Sequence, residues 1–147
     1  MDISLIRATP AFAADWLSLR SALWPDAVAT HARDIEAMLR RPGELAVLAY
    51  RGGRAVGLAE AALRRDYVNG CETSPVAFLE GLYVVPDSRR QGVGAALCAE
   101  IERWGREQGC REFASDTALD NHASQALHRR LGFAETERVV FFRKPLA

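Results

Sequence analysis

The stretch from Phe78 to Leu97, FLEGLYVVPDSRRQGVGAAL, constrains this chain more than any other. Val76 to Val85 is almost continuously apolar and rich in β-branched and aromatic residues, the pattern of a central, buried strand. Pro86 ends it, because proline has no N–H to give a ladder. Arg89, Arg90, Gln91, Gly92, Val93 and Gly94 follow, after which Val93, Leu97, Ile101 and Trp104 recur at helical spacing as one apolar stripe. A strand feeding a glycine loop that opens a helix points unpaired amides at one spot, where the helix dipole is positive. Gly92 and Gly94 leave room there for a phosphate, and Arg89 and Arg90 add charge. The loop has no lysine, so it is not a Walker loop. Leu97 stands where a dinucleotide fingerprint needs its third glycine.

The rest of the composition narrows the function classes. A length of 147 residues suits one domain, 1–147, with one core. The net charge of +0, without a basic run, argues against nucleic acid as the main partner. No apolar run approaches the ~20 residues of a membrane span, and MDISLIRATP lacks the basic start and long apolar stretch of a signal peptide. Cys71, Cys98 and Cys110 have an odd count and no C-x-x-C spacing, which fits free thiols in a reducing cytoplasm. The three histidines are scattered, so no metal site is expected.

Taken in order, residues 3–9 read as a strand, 12–24 as a helix closed by Trp24-Pro25, and 31–40 as a second helix ended by Pro42-Gly43. Residues 44–50 and 55–64 read as strands joined by a turn at Gly52-Gly53. A polar loop, 66–75, is long for a hairpin connection, and such loops are often functional. After the organising strand and helix, which Gly109 closes, come a short strand at 111–115, a helix over 123–131 and a last strand over 136–143. The order β-α-α-β-β-β-α-β-α-β predicts an α/β fold around one mixed sheet.

The Arg89-x-x-Gly92-x-Gly94 loop, in this setting, resembles the pyrophosphate loop of the GNAT acyltransferase superfamily, which binds acetyl-coenzyme A. Asn121, His128 and Gly132-Phe133 stand at the spacing of a second GNAT signature, in which the family has Tyr where this chain has His128. More narrowly, LRSALWP, YVNGCETSP, FLEGLYV, CREFASDTALDN and LGFAETERVVF are similar to the aminoglycoside 6′-N-acetyltransferases of the short chromosomal type, over essentially the whole chain. The resemblance implies the GNAT fold, a central mixed sheet flanked by about four helices. It implies acetyl-CoA as co-substrate and transfer of its acetyl group to the 6′-amine of an aminoglycoside. Another small amine, such as a polyamine or amino-sugar, is the alternative acceptor; a non-catalytic acyl-CoA-binding module is the alternative class. The departures are His128 itself and the single strand after the last helix, where most relatives have two.

Residue roles follow from both sources. Glu80 interrupts an apolar strand, where a carboxylate is costly unless paired or hydrated. It is therefore expected to face a cleft, and burial would raise its pKa and suit it to act as base on the amine; a salt bridge to a neighbouring arginine is the alternative. By resemblance, the main chain of Leu82, Tyr83 and Val84 pairs with the pantetheine arm, and a main-chain amide at a splay in the sheet faces the thioester oxygen. Arg90, Gln91, Gly92, Val93, Gly94 and Ala95 cradle the pyrophosphate, and Asn121 contacts the coenzyme. His128 stands in for the acid that protonates the thiolate, or is a packed helix residue. A polycationic acceptor needs convergent carboxylates. Trp24, Tyr67, Glu80, Asp116 and Glu137 are carried over as acceptor contacts, with Asp116 also in a catalytic position; Trp24 has the alternative of a core or cap residue. In this subfamily the region of Tyr67 lies near a dimer interface, so a homodimer is implied.

Overall fold

The computed structural model describes residues 2–147. Five strands form one sheet in the order β1-β2-β3-β4-β5, with β1 at Ser4–Arg7, β2 at Glu44–Arg51, β3 at Arg54–Arg64, β4 at Val76–Val84 and β5 at Phe113–Ser115. Sequential strands pair antiparallel except β4 and β5, which run parallel because a helix crosses between them. That crossover helix is α3, Val93–Glu107. Helices α1 (Ala13–Leu23) and α2 (Val28–Arg40) cover the other face, and α4 (His122–Arg130) follows β5.

The two faces of the sheet carry separate cores, as alternation along the strands requires. Val47, Ala49, Val56 and Ala59 point toward the α3 stripe of Val93, Leu97, Ile101 and Trp104. Ala46, Leu48 and Leu58 point toward Trp16, Leu19 and Ile35 of α1 and α2. Val56–Ala61 of β3 and Val76–Leu79 of β4 are buried without a break, which explains why β4 begins as a continuous apolar run.

Three features set up the functional site. A β-bulge between Glu60 and Ala61 shifts the β3–β4 register, so Gly81 sits opposite Glu60 while Leu79 sits opposite Ala61. Pairing of β4 with β5 stops at Leu79–Ser115, so the edge of β4 from Glu80 onward is free. The sheet forks there. Finally, the turn into α3 holds Arg90 at φ 61° and Gly92 at φ 83°.

The expected strand over 136–143 is absent. No strand is assigned beyond β5, and Val140, Phe141 and Phe142 are 77%, 83% and 93% exposed. A strand is stable only beside a neighbour, and β5 at the sheet edge is three residues long. Other boundaries differ by a few residues: the first strand is shorter than 3–9, the second helix begins at Val28 rather than at 31, and β5 begins at Phe113 rather than at 111.

Candidate active site

On one side of the β4 edge lies a cleft of about 430 Å³, walled by α1, α2 and strands β2 to β4. Four of its lining residues are carboxylates, Asp34, Glu44, Glu60 and Glu80, against two guanidiniums, Arg20 and Arg41. The excess of carboxylates suits a cationic guest. Trp24 forms part of the wall. It caps the C-terminus of α1, and its N–H donates to the Arg20 carbonyl at 2.9 Å.

Arg20 is the hub behind this wall. Its Nη1 donates to Glu60 Oε1 at 2.5 Å and its Nη2 to Asp34 Oδ2 at 3.2 Å. Its guanidinium lies 4.9 Å from the centre of the Trp24 ring, a cation–π contact. Its Nε donates to His31 Nδ1 at 2.9 Å. Arginine cannot accept, so the proton of His31 sits on Nε2, which donates to the Trp24 carbonyl at 2.8 Å. Glu60 is also bonded by Trp16 Nε1 at 2.7 Å. Burial pushes the Glu60 carboxyl above its usual range, against the opposing pull of Trp16 and Arg20.

Trp24 reaches this position because Gly81 has no side chain. A Cβ on Gly81 would stand 2.7 Å from the Trp24 ring and 2.8 Å from Leu23. The indole thus lies against β4 next to Glu80. Glu80 itself lines the cleft, as expected, but it is exposed rather than buried. Strand β4 faces solvent at that position, and Arg64 of β3 bonds the carboxylate, with Nη2 at 2.8 Å from Oε1. The ion-pair reading of Glu80 and the cleft reading therefore hold together.

Beyond the last rung, Glu80 and Asp116 are the first residues on either branch of the fork. Leu82, Tyr83 and Val84 follow on β4, paired with β3 on one side only. The free edge offers backbone groups to an extended ligand arm. At its far end stands the α3 turn. Gly92 caps α3 without a side-chain bond to the first amides, and a Cβ there would meet nothing within 4 Å. This open, left-handed turn of Arg90 and Gly92, with Val93, Gly94 and Ala95 beginning the helix, presents free N–H groups that could hold an anion. The residues present fit an acyl-CoA: an anion nest, then an unpaired strand edge, then a cleft rich in carboxylates.

His128 packs against the fork. Its Nε2 lies 2.9 Å from Ser115 Oγ, and its Nδ1 lies 2.7 Å from the Ser124 carbonyl. Asn121 caps α4 by accepting from the Ser124 N–H at 3.1 Å. Tyr67 and Glu137 do not line the cleft, nor does Asp116. Tyr67, 74% exposed on the loop before β4, meets Glu137 Oε1 at 3.4 Å instead. Both are carried away from the cleft by exposed segments. The residues missed from sequence are Arg20, Asp34, Glu44, Glu60, Arg64 and Ser115. For Glu60 a signal existed, since it interrupts the apolar run AVGLAEAAL as Glu80 interrupts its own.

No described helix is long and apolar enough to cross a membrane. Among the described residues no cluster of three or more His, Cys, Asp or Glu side chains could hold a metal ion. The profile of the Acetyltransferase (GNAT) family matches residues 10–133. An aminoglycoside N(6′)-acetyltransferase type 1 of Serratia marcescens is 54% identical over 134 residues, covering 89% of this chain and 91% of that protein. One from Acinetobacter genomosp. 13 is 48% identical over 143 residues, covering 97% and 98%. The structure of AAC(6′)-Iy in complex with the bisubstrate analogue CoA-S-monomethyl-acetylneamine superposes with a TM-score of 0.96 at 43% identity, covering 99% of this chain and 100% of that one. With fold, anion nest, strand fork and sequence in agreement, this chain belongs to the GNAT acetyltransferase family.

Proposed function

We propose that this protein transfers the acetyl group of acetyl-CoA to the 6′-amine of aminoglycosides and thereby confers resistance to them. The observation that carries the reading is the cleft of four carboxylates opening beside the free β4 edge. A polycationic acceptor is drawn to such a cleft, and an apolar or anionic one is not. The named relatives and the bisubstrate complex support the same reaction.

When bound, acetyl-CoA supplies an acyl carbon activated as a thioester. The chain's own residues do the rest. Arg90 to Ala95 hold the pyrophosphate, Leu82 to Val84 hold the pantetheine arm by main-chain bonds, and Asn121 borders the coenzyme from the start of α4. Glu80 takes the proton of the acceptor amine, with Arg64 orienting the carboxylate. Trp24 provides an apolar face for a sugar ring. Asp116, across the fork from Glu80, pairs with a second ammonium group and helps to orient the reacting amine. His128 lies on the side of the fork from which the leaving sulfur is protonated.

The active unit is a homodimer of the single domain 1–147. The run Val139–Phe142 supports this: it is apolar, reads as a strand and lies exposed in the isolated chain. A second copy covering this run would bring Tyr67 and Glu137 toward a cleft across the interface. Three free thiols, Cys71, Cys98 and Cys110, fit a reducing cytoplasm.

The test is thiol release from acetyl-CoA with aminoglycosides that have or lack a free 6′-amine, a polyamine and a short peptide. Turnover confined to the free 6′-amine is the expected result. Turnover with the polyamine or peptide alone would overturn the acceptor. Coenzyme binding without turnover on any amine would favour a binding module. Light scattering of the pure protein reports the dimer; a monomer at micromolar concentration would overturn it.

A further inference from the structure

Ser115 occupies the vertex of the fork. It is the last paired residue of β5, opposite Leu79 on the rung where β4 and β5 part. Glu80 and Asp116 flank the opening immediately beyond it. The hydroxyl sits where the β4–β5 ladder ends and the sheet edge becomes free, on the α4 side of the sheet, with His128 Nε2 2.9 Å away.

The bonds behind Ser115 give it a direction. His128 Nδ1 faces the Ser124 carbonyl at 2.7 Å, and a carbonyl only accepts, so Nδ1 carries a proton. The other ring nitrogen, Nε2, faces Ser115 Oγ at 2.9 Å. Both nitrogens are thus engaged, and the Phe133 ring, 5.3 Å between centroids, packs against the imidazole. His128 has no nitrogen left to face a ligand. Its outlet is Ser115. A neutral ring accepts the serine hydrogen until an anion in the fork, the stronger acceptor, draws it away. A doubly protonated ring donates to the serine oxygen and turns the serine hydrogen outward. Inside the protein that hydrogen finds the Leu79 carbonyl at 3.3 Å, a long bond that an anion in the fork displaces.

We propose that Ser115 is the residue that protonates the departing thiolate, and that His128 is the positioning residue that recharges it. The inference rests on the acetyl-transfer reading above. As the C–S bond breaks, its electron pair stays on sulfur and takes the hydrogen of Ser115 Oγ. The serine oxygen regains a proton from Nε2 of doubly protonated His128. The ring is left neutral, with Nδ1–H still on Ser124, and recovers its proton from solvent. The histidine found where relatives carry tyrosine then acts through a hydroxyl supplied by β5.

The contact with sulfur is testable without any acceptor. The affinities of CoA and of desulfo-CoA, which lacks the thiol, are compared as the pH is raised to about 10, because a simple alkyl thiol ionises above the ~8.5 of cysteine. The wild type is expected to favour CoA, and Ser115→Ala to lose about 10-fold of that preference, the scale of a hydrogen bond to a charged group. Ser115→Thr, which keeps the hydroxyl, restores it. An unchanged preference in Ser115→Ala, with an unchanged melting temperature, overturns the proposal. If the alanine variant does not fold, loss of preference in Ser115→Gly serves instead, and its retention overturns. With whichever amine the wild type accepts, Ser115→Ala lowers kcat about 100-fold with little change in the acetyl-CoA KM. His128→Gln retains the sulfur preference but lowers kcat about 10-fold; full turnover would overturn the relay. A wild type that shows the sulfur preference yet acetylates no aminoglycoside sinks the acceptor reading and leaves the Ser115 contact standing. A chain that binds neither ligand sinks both.

Discussion

Two carboxylates sit on neighbouring strands, one residue out of register, and are treated in opposite ways. Glu60 on β3 is 2% exposed, locked between Trp16 Nε1 and Arg20. Glu80 on β4 is exposed at the cleft and held by Arg64 alone. Each interrupts an apolar strand, and each would be costly there without partners. The bulge at Glu60 allows the difference: it sets Gly81 opposite Glu60 and leaves Glu80 to face the cleft. Glu60 spends its bonding capacity on the wall, whereas Glu80, although Arg64 reaches both of its oxygens, faces the cleft with lone pairs open to a guest. Interruption of a strand thus marks a place where structure must compensate, and only the partners tell framework from chemistry.

The sharpest way to break this contrast is to remove each carboxylate in turn. Glu60→Ala leaves Arg20 buried without its closest partner, and loss of one member of a buried pair costs about 3–5 kcal/mol. Asp34 remains near Arg20, so the lower end, about 3 kcal/mol, is expected. For a chain of this length that lowers the melting temperature by roughly 10 °C, measured by circular dichroism. Glu80→Gln should melt within about 2 °C of wild type, because a partly exposed ion pair contributes little. Its turnover at neutral pH should fall about 100-fold, the scale of a lost general base, with CoA affinity unchanged. If Glu60→Ala melted normally and lost turnover, the two roles would be reversed.

A third position sharpens the contrast by acting on the wall that both carboxylates share. Gly81→Ala pushes a methyl group into Trp24 and Leu23. The indole must swing away from β4, since the backbone of a central strand gives little. The acceptor KM should rise about 10-fold, equivalent to about 1.4 kcal/mol of binding, while the acetyl-CoA KM stays put. An equal rise in both would mean that Trp24 supports the coenzyme side of the fork.

How much of this was legible beforehand depended on whether the determining contact is local. The β4 strand, the Arg89-x-x-Gly92-x-Gly94 turn and α3 were legible because periodicity and glycine placement act within a few residues. The partnership of Arg20 with Glu60, far apart in sequence, was not, and nothing in LRSALWP marks Arg20 as a hub. Residues 136–143 show the converse failure. Their composition reads as strand, yet a strand needs a neighbour, and within this chain none is offered. Ser115 was silent for a third reason: a serine in a short strand is ordinary, and only the ending of the β4–β5 ladder makes it the vertex of the fork.

The smallest expected effect concerns a carboxylate outside the cleft, Glu112, which tests whether loops follow the same rule as strands. Glu112 accepts from the main-chain N–H groups of Glu72 at 2.9 Å and Thr73 at 2.8 Å, and from the Thr73 hydroxyl. It ties the loop that carries Tyr67 to the strand that ends at Ser115. These donors favour the ionised form, with the Thr73 hydroxyl contributing most, and hold its carboxyl below the ordinary value of 4.5. A carboxyl with a depressed folded pKa contributes stability that is fully present above 4.5 and lost as the pH falls through the folded value. Hydrogen exchange at the Glu72 and Thr73 amides should therefore stay protected down to pH 4.5 and accelerate, relative to its intrinsic rate, only below it. Glu112→Ala should remove that protection at every pH and leave the overall melting temperature nearly unchanged, because the group is on the surface. If protection in the variant matched wild type, main-chain packing would hold the loop, and Glu112 would differ from Glu60 in carrying no framework role at all.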